Sequence, residues 1–217
     1  MTEPLAALPV QATQERRFWS VTTLIGKATP NDGLIGWAAR TVAEEAYDKH
    51  SILAAFVESG DREGAVRHFA DARWRSAERA RIRGSLLHKV AEAHALQVPP
   101  PEIPEEAAPY VVQFERFLID HQPRYLLSEA PVYHVGYSYA GTLDAIATFG
   151  DDSAAFLLDV KTNYKPPGAS SRPPYPEIAL QLVAYARAEH VGLRAAVERE
   201  ESRGSRYYTW TDDMPRE

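Results

Sequence analysis

The spacing of apolar residues changes near residue 122. Before that point they recur every three or four positions, which is typical of amphipathic helices. The pattern predicts a short helix from an N-cap at Ser20 to before Pro30, a helix over 34–55, a helical region over 61–96 broken near Arg83 and Gly84, and a helix over 107–121. Residues 1–17 are mixed in character and contain two prolines, and we expect them to form a flexible arm.

After residue 122 the pattern is typical of strands. Three runs, YLLSEAPVYHV, YAGTLDAIATF and AAFLLDVKT, are separated by the turn signals GYS and GDDS. A proline-rich loop then leads into a helix from about Glu177, and SRYYTW predicts a last strand. This order predicts an α/β fold with a mixed central sheet flanked by helices, in which the helical region 18–121 and the core 122–217 form one integrated domain.

Two aspartates on neighbouring predicted strands form the first candidate site. If GDDS closes a hairpin between residues 151 and 152, Asp144 pairs with Asp159 and the two carboxylates lie side by side. Adjacent carboxylates raise each other's pKa unless a cation neutralises them, and oxygen ligands of this kind suit Mg²⁺ or Mn²⁺. The pair therefore predicts a divalent metal site.

Lys161 follows Asp159 by two residues, on the same side of a strand and about 6 to 7 Å away by strand rise. An ammonium group there would polarise a water molecule and stabilise negative charge on an attacked phosphorus. A D-x-K triplet alone is more often structural, since strand ends commonly carry surface ion pairs of little energetic value. The neighbouring Asp144 and the apolar run before Asp159 favour the functional interpretation.

Two helices carry polar residues at one-turn spacing. Gly84 and His88 share one helical face. A strand or DNA backbone can therefore approach closely at the glycine, with the histidine pointing at that backbone. An isolated histidine on an apolar helix is more often structural. Glu177, Gln181 and Tyr185 form a polar stripe, in which Gln181 and Tyr185 would bind a phosphate or hold Lys161 in place. An exposed polar face explains the same stripe equally well.

Composition restricts the chemistry. The chain has no cysteine, which excludes disulfides, thiolate zinc sites and a cysteine-held iron–sulfur cluster. The net charge is −6, so contacts with DNA require local basic patches. We find no signal-peptide core and no run of about 18 apolar residues, and we expect a soluble cytoplasmic protein with no membrane partner.

Residues 62–94 form the strongest basic segment, with eight Lys and Arg against four Asp and Glu, a local charge of +4. Arg81 and Arg83 precede His88 and would lead a DNA backbone towards it, with Trp74 available for stacking. Lys165 and Arg172 lie in the proline-rich loop and would contact DNA there. A solvated helical face is the usual meaning of such a run of arginines.

Taken together, G-x-x-x-H, GTLDAI, LLDVKT and Q-x-x-x-Y resemble the PD-(D/E)XK nuclease superfamily, most closely its RecB-like exonuclease branch, which includes bacteriophage and CRISPR-associated exonucleases. The resemblance implies a restriction-endonuclease-like fold. The roles it implies are metal ligation by His88, Asp144, Asp159 and the Val160 carbonyl, catalysis by Lys161, support and DNA contact by Gln181 and Tyr185, and outer positions around the ligands for Glu129 and Glu177.

The implied activity is Mg²⁺- or Mn²⁺-dependent hydrolysis of DNA to 5′-phosphate and 3′-hydroxyl ends. The substrate would be DNA ends or single strands, in phage or bacterial recombination or repair in the bacterial cytoplasm. Relatives with an iron–sulfur cluster use four cysteines, which this chain lacks. The stop after TWTDDMPRE indicates an open sheet edge or completion by a protein partner or another copy. The alternative is a non-cleaving DNA-binding or assembly subunit.

Overall fold

The structure is a computed structural model, and it describes residues 16–29, 32–151, 153–163, 174–191, 197–202 and 205–210. For the last two segments only the strand backbone is described. Most of the predicted arm, and the loop that carries Lys165 and Arg172, lie outside the described residues.

Helices dominate the first half of the chain and one more follows the strands. They are α1 (Val21–Ala28), α2 (Asp32–Asp48), α3 (His50–Ser59), α4 (Arg62–Ala70), α5 (Ala72–Ala95), α6 (Ala108–His121) and α7 (Pro176–Ala186), with a 3-10 turn at Glu105–Ala107 before α6. Ser20 is the N-cap of α1, as predicted, although its hydroxyl pairs with the Thr22 hydroxyl and does not cap the helix.

Two predicted helix boundaries are wrong. The helix expected over 34–55 is divided at Lys49 into α2 and α3, because the backbone of Lys49 is not helical and its carbonyl accepts the amides of Ile52 and Leu53. The break expected near Arg83 and Gly84 lies instead at Asp71, and α5 runs through Gly84 without interruption.

The sheet is mixed, as predicted. Its strands are β1 (Arg16–Ser20), β2 (Arg124–His134), β3 (Tyr139–Thr148), β4 (Phe156–Leu158), β5 (His190–Val191), β6 (Val197–Ser202) and β7 (Ser205–Trp210). The order is β5-β2-β3-β1-β7-β6, with β4 also paired to β3. The β1–β3 pair is parallel and the other described pairs are antiparallel. The sequence pattern did not predict β1, β5 or β6, and β1 begins inside the predicted arm.

Strand β3 carries two partners along the edge that faces away from β2. Its first residues pair with β1, at Tyr139 and Ala140, and its later residues pair with β4, at 145–147. Between these contacts lies Asp144. The β3–β4 register has the alignment that the hairpin argument predicts and ends at Ala145 opposite Leu158, and Asp144 and Asp159 are the next residues on the two chains. The predicted third strand, 154–162, is shorter in the structure because β4 ends at Leu158.

Two apolar clusters hold the helices to this sheet. One joins Val21 of α1 and Tyr185 of α7 to Val132 and Leu143 of β2 and β3. The other joins α5 to α6 through Leu87, Val90, Val111 and Phe114, with Val160 packed against it. Both clusters flank the segment 159–161, so burial of apolar surface fixes the position of the candidate site.

Candidate metal centre and active site

Three secondary-structure elements bring potential metal ligands together. His88 of α5, Glu129 of β2 and Asp144 of β3 each offer an atom, and these atoms all lie within 4.8 Å of one another. Imidazole nitrogen and carboxylate oxygen are common ligands of divalent ions. The cluster therefore has the donor set of a metal site, and its members are far apart in the sequence.

His88 is held through both ring nitrogens. Nδ1 lies 3.1 Å from Glu129 Oε1 and 3.5 Å from Asp144 Oδ1, and Nε2 lies 2.9 Å from the Val160 carbonyl. Because acceptors face both nitrogens, the doubly protonated ring is favoured. The pKa of His88 is accordingly raised, chiefly by the hydrogen bond to Glu129, although burial opposes the shift.

Glu129 has an unusual backbone for a residue within a strand. Its φ is +47°, in the left-handed region, and the β2–β3 register places it opposite Asp144. A non-glycine residue in this conformation costs about 1 to 3 kcal/mol and persists where surrounding contacts compensate. Here the conformation accompanies a carboxylate that bonds His88.

Asp144 connects the cluster to the end of β4. Its side chain is 9% exposed, and its Oδ2 accepts the Val160 amide at 2.5 Å. This side-chain bond to the main chain lies two residues after the end of β4 at Leu158. Burial raises the pKa of Asp144, and His88 opposes the shift.

Asp159 has one satisfied and one unsatisfied oxygen. Its side chain is 3% exposed, and Oδ1 accepts from Lys161 Nζ at 2.5 Å and from Gln181 Nε2 at 3.2 Å. Its Oδ2 is buried without a hydrogen-bond partner. A buried carboxylate oxygen without a partner is costly, and a cation would satisfy it. The residues present therefore fit a bound divalent ion.

Gln181 and Tyr185 brace this carboxylate from α7. Gln181 Nε2 also lies 3.2 Å from the Tyr185 hydroxyl, and the Tyr185 ring is buried in the apolar core. Gly141 of β3 lies under that ring, and a Cβ at this position would collide with it. No hydrogen bond or ion pair joins Glu177 to the other site residues within the described part of the chain.

A cavity of about 240 Å³ adjoins the cluster. His88, Glu129, Asp144 and Asp159 line it on one side, and its apolar walls are formed by the side chains of Ala91, Phe114, Phe117, Tyr125 and Leu158. Lys161 does not line this cavity, and its side chain is 43% exposed. The carboxylates thus lie between an apolar interior and a solvent-facing lysine.

The predicted DNA-binding arginines have different surroundings. Arg81 is exposed and forms a two-point ion pair with Glu78, at 2.6 and 2.8 Å. The guanidinium of Arg83 lies 5.5 Å from the centre of the Tyr110 ring, on the α6 side of α5. Long side chains can reach several partners, so their sequence positions alone did not distinguish these two arrangements.

The structure brings together most of the residues expected at the site: His88, Asp144, Asp159, Val160, Lys161, Gln181 and Tyr185. Glu129, expected in an outer position, contacts His88 directly. Sequence reasoning missed Gly141 and Thr162. A glycine inside a strand pattern indicates a close approach, which for Gly141 is the Tyr185 ring. Thr162 has no comparable sequence signal.

Comparisons with protein-family models, with curated proteins and with solved structures give no match. Within the described residues, no helix combines the length and apolar character needed to cross a membrane.

Proposed function

We propose that this chain is a metal-dependent DNA nuclease with a restriction-endonuclease-like core of the PD-(D/E)XK type, acting as an exonuclease. The observation that carries the proposal is the buried, unpartnered Oδ2 of Asp159 beside the His88, Glu129 and Asp144 cluster. A hydrogen-bonded structural ion pair would not need such an oxygen, whereas a metal ligand does.

His88, Asp144, Asp159 and the Val160 carbonyl would hold Mg²⁺ or Mn²⁺. Both ring nitrogens of His88 have protein partners, Glu129 at Nδ1 and the Val160 carbonyl at Nε2, so ligation through Nε2 would require the loss of its proton and of its hydrogen bond to that carbonyl. Carboxylates that hold a ligating histidine in this way fix its tautomer and orientation. When bound, the ion supplies Lewis acidity and eases deprotonation of water.

Lys161 is the residue placed to act on the reacting groups. Its Nζ is anchored by Asp159 Oδ1 and its side chain reaches solvent, where a phosphodiester arrives. It would orient the attacking water and stabilise the negative charge on the phosphate. The water oxygen would bond to phosphorus and give up a proton to solvent, while the bond from phosphorus to the 3′ oxygen breaks and that oxygen takes a proton from solvent to become the 3′-hydroxyl.

Gln181 and Tyr185 keep this arrangement in place. Gln181 donates to the same Asp159 oxygen that holds Lys161, which limits rotation of the carboxylate. The Tyr185 hydroxyl contacts the same amide, and the buried ring fixes its position. These two residues are positioning residues for Asp159.

Incubation of linear single- and double-stranded DNA with Mn²⁺ tests the proposal. We expect metal-dependent cleavage that a chelator stops and that Lys161→Ala abolishes. Lys89→Ala is the matched control, because Lys89 is an exposed lysine on α5 outside the cluster. Equal degradation by wild type and Lys161→Ala would refute the assignment, and DNA binding without any cleavage would favour the assembly-subunit alternative.

A further inference from the structure

The segment 160–162 follows α5 from His88 towards the N-terminal half of that helix. The Val160 carbonyl contacts His88, and two residues later Thr162 lies beside Gly84, one helical turn nearer the N-terminus of α5. Lys161, between them, is solvent-accessible. Phe114 and Phe117 line the cavity beside the carboxylates, and Lys161 does not line it. A polymeric substrate bound at Lys161 would meet the N-terminal half of α5 on the side where Thr162 lies beside Gly84.

One face of α5 continues this direction beyond the sheet. At about 100° per residue, Trp74 and Arg81 fall within about 40° of the direction of His88. Both are exposed, whereas Gly84 and His88 are partly buried. Exposure thus increases along a single helical face as it leaves the catalytic cluster, which gives a substrate an accessible wall.

The arginines of α5 lie on different faces of the helix. Arg75 donates to Glu45 and to the His68 carbonyl, and Arg83 lies over Tyr110. Arg79 is about 180° from His88 around the helix. Arg73 and Arg81 remain on the side of the open wall. Arg81 is paired with Glu78, so Arg73 is the arginine of this face that supplies positive charge for a phosphate beside Trp74.

Trp74 carries a large aromatic surface at the far end of this wall. It is 63% exposed, and the Arg73 guanidinium lies 4.9 Å from its ring centre. An exposed indole with an adjacent cation is suited to stacking against a nucleobase whose phosphate lies nearby. Only unpaired strands present free base faces along their length, so this pair selects single-stranded over duplex DNA.

We propose that Trp74, with Arg73, is a remote base-stacking site for single-stranded DNA that lies along α5 on its way to the catalytic cluster. This inference rests on the proposed nuclease function. The 14 residues from Trp74 to His88 span about 21 Å of helix. At about 3.4 Å per stacked nucleotide, Trp74 contacts a base about six nucleotides from the cleaved bond, or fewer if the strand is extended.

The test is the affinity of fluorescein-labelled oligo-dT of 4 and 12 nucleotides, measured by anisotropy with Mn²⁺ in a Lys161→Ala background. We expect Trp74→Ala to weaken binding of the 12-mer at least about fivefold, which corresponds to about 1 kcal/mol, and to leave the 4-mer and a blunt duplex within twofold. Trp74→Phe should restore most of the affinity.

Two matched controls lie on other faces of the same helix. Ile82→Ala removes an equally prominent apolar side chain, 50% exposed and about 120° from His88, and Arg79→Ala removes an arginine from the far side. Both should leave 12-mer affinity within twofold. Arg73→Ala should weaken the 12-mer and lower its salt dependence by about one phosphate contact.

Three outcomes would overturn the stacking site. The first is that Trp74→Ala and Ile82→Ala weaken binding of the 12-mer equally. The others are that Trp74→Ala weakens binding of the 4-mer and the 12-mer equally, or that no variant binds either oligonucleotide. Cleavage by the wild-type protein, measured in parallel, separates the two proposals. Metal-dependent cleavage with unchanged Trp74→Ala affinity refutes the stacking site alone. Absence of cleavage refutes the nuclease, whichever way the binding result falls.

Discussion

The two sides of the candidate site differ in whether their polar side-chain atoms have hydrogen-bond or ion-pair partners within the protein. On the ligand side, defined as His88, Glu129 and Asp144, one imidazole lies within 3.1 to 3.5 Å of carboxylates from two strands. On the reactive side, defined as Asp159, Lys161 and Gln181, one carboxylate oxygen is buried without a partner and the lysine is exposed. Each side chain of the ligand side has a hydrogen-bond partner in the protein, whereas Asp159 Oδ2 on the reactive side has none. Substitution of Asp144 and of Lys161, which is not a proposed ligand, should therefore separate metal binding from turnover.

The largest effect is expected from Asp144→Asn on the ligand side. The amide oxygen can still accept the Val160 amide, so the fold should persist, but the ion loses a charged ligand. We expect Mn²⁺ affinity to fall more than about 100-fold, beyond the loss typical of outer contacts, together with loss of cleavage. Calorimetric titration of Mn²⁺ with a parallel cleavage assay measures both. Unchanged Mn²⁺ affinity would remove Asp144 from the ligands.

Lys161→Ala should lower turnover without changing the affinity for Mn²⁺. Turnover should fall by about 10²- to 10³-fold because the charge developing on the phosphate loses its cation. Mn²⁺ affinity should stay within about twofold, since Lys161 contacts only one oxygen of Asp159 and is not a ligand. A parallel fall in Mn²⁺ affinity would mean that Lys161 organises the ligand side, and the division proposed above would fail.

Gln181→Ala should have an intermediate effect on the reactive side. Asp159 Oδ1 loses one donor, so the carboxylate and Lys161 gain rotational freedom. We expect turnover to fall about 10- to 100-fold, the usual range for residues that orient a ligand. Leu180→Ala on the same helix is the control, because Leu180 is half exposed. Equal losses in the two variants would indicate a general disturbance of α7.

The smallest effect is a pH dependence of stability that arises on the ligand side. The folded pKa of His88 is raised, mainly by Glu129, and that of Asp144 is raised by burial. A group whose pKa is higher in the folded than in the unfolded protein stabilises the fold while it is protonated. This contribution to the free energy of unfolding is lost as the pH rises through the folded pKa.

The metal-free protein should accordingly lose about 2 to 4 °C of melting temperature between pH 6 and 8, the shift expected for about 1 kcal/mol in a chain of this size. Saturating Mn²⁺ should reverse the trend, because ligation displaces protons. Glu129→Gln should flatten the metal-free profile. A metal-free melting temperature that rises over this interval would contradict the assigned protonation of the cluster.

The sequence predicts the centre of the fold better than its periphery. Alternation and turn signals are strong where strands are long, and the symmetry of the β3–β4 turn correctly predicted the register of 145–147 against 156–158. Strands of two to five residues, such as β1 and β5, carry too few positions for a period to emerge. The helix break was assigned to Gly84 on propensity, but α5 continues through it in contact with Thr162.

Side-chain partnerships at the site could be anticipated only in part. The hairpin symmetry predicts the positions of Asp144 and Asp159 because these positions follow from the pairing of the β3 and β4 backbones. Glu129 contacts His88 directly and has a positive φ, which no local sequence feature indicates for a glutamate in a strand. Arg83 turned to Tyr110 since its long side chain could reach α6. The backbone conformation of Glu129 and the contact partner of Arg83 both depend on tertiary packing.

The most direct measurement is the anomalous diffraction of a crystal of the wild-type protein equilibrated with Mn²⁺. We expect one strong peak within about 2.5 Å of a His88 ring nitrogen and of carboxylate oxygens from both Asp144 and Asp159. Absence of that peak at saturating Mn²⁺, or a peak that leaves Asp159 uncoordinated, would contradict the account.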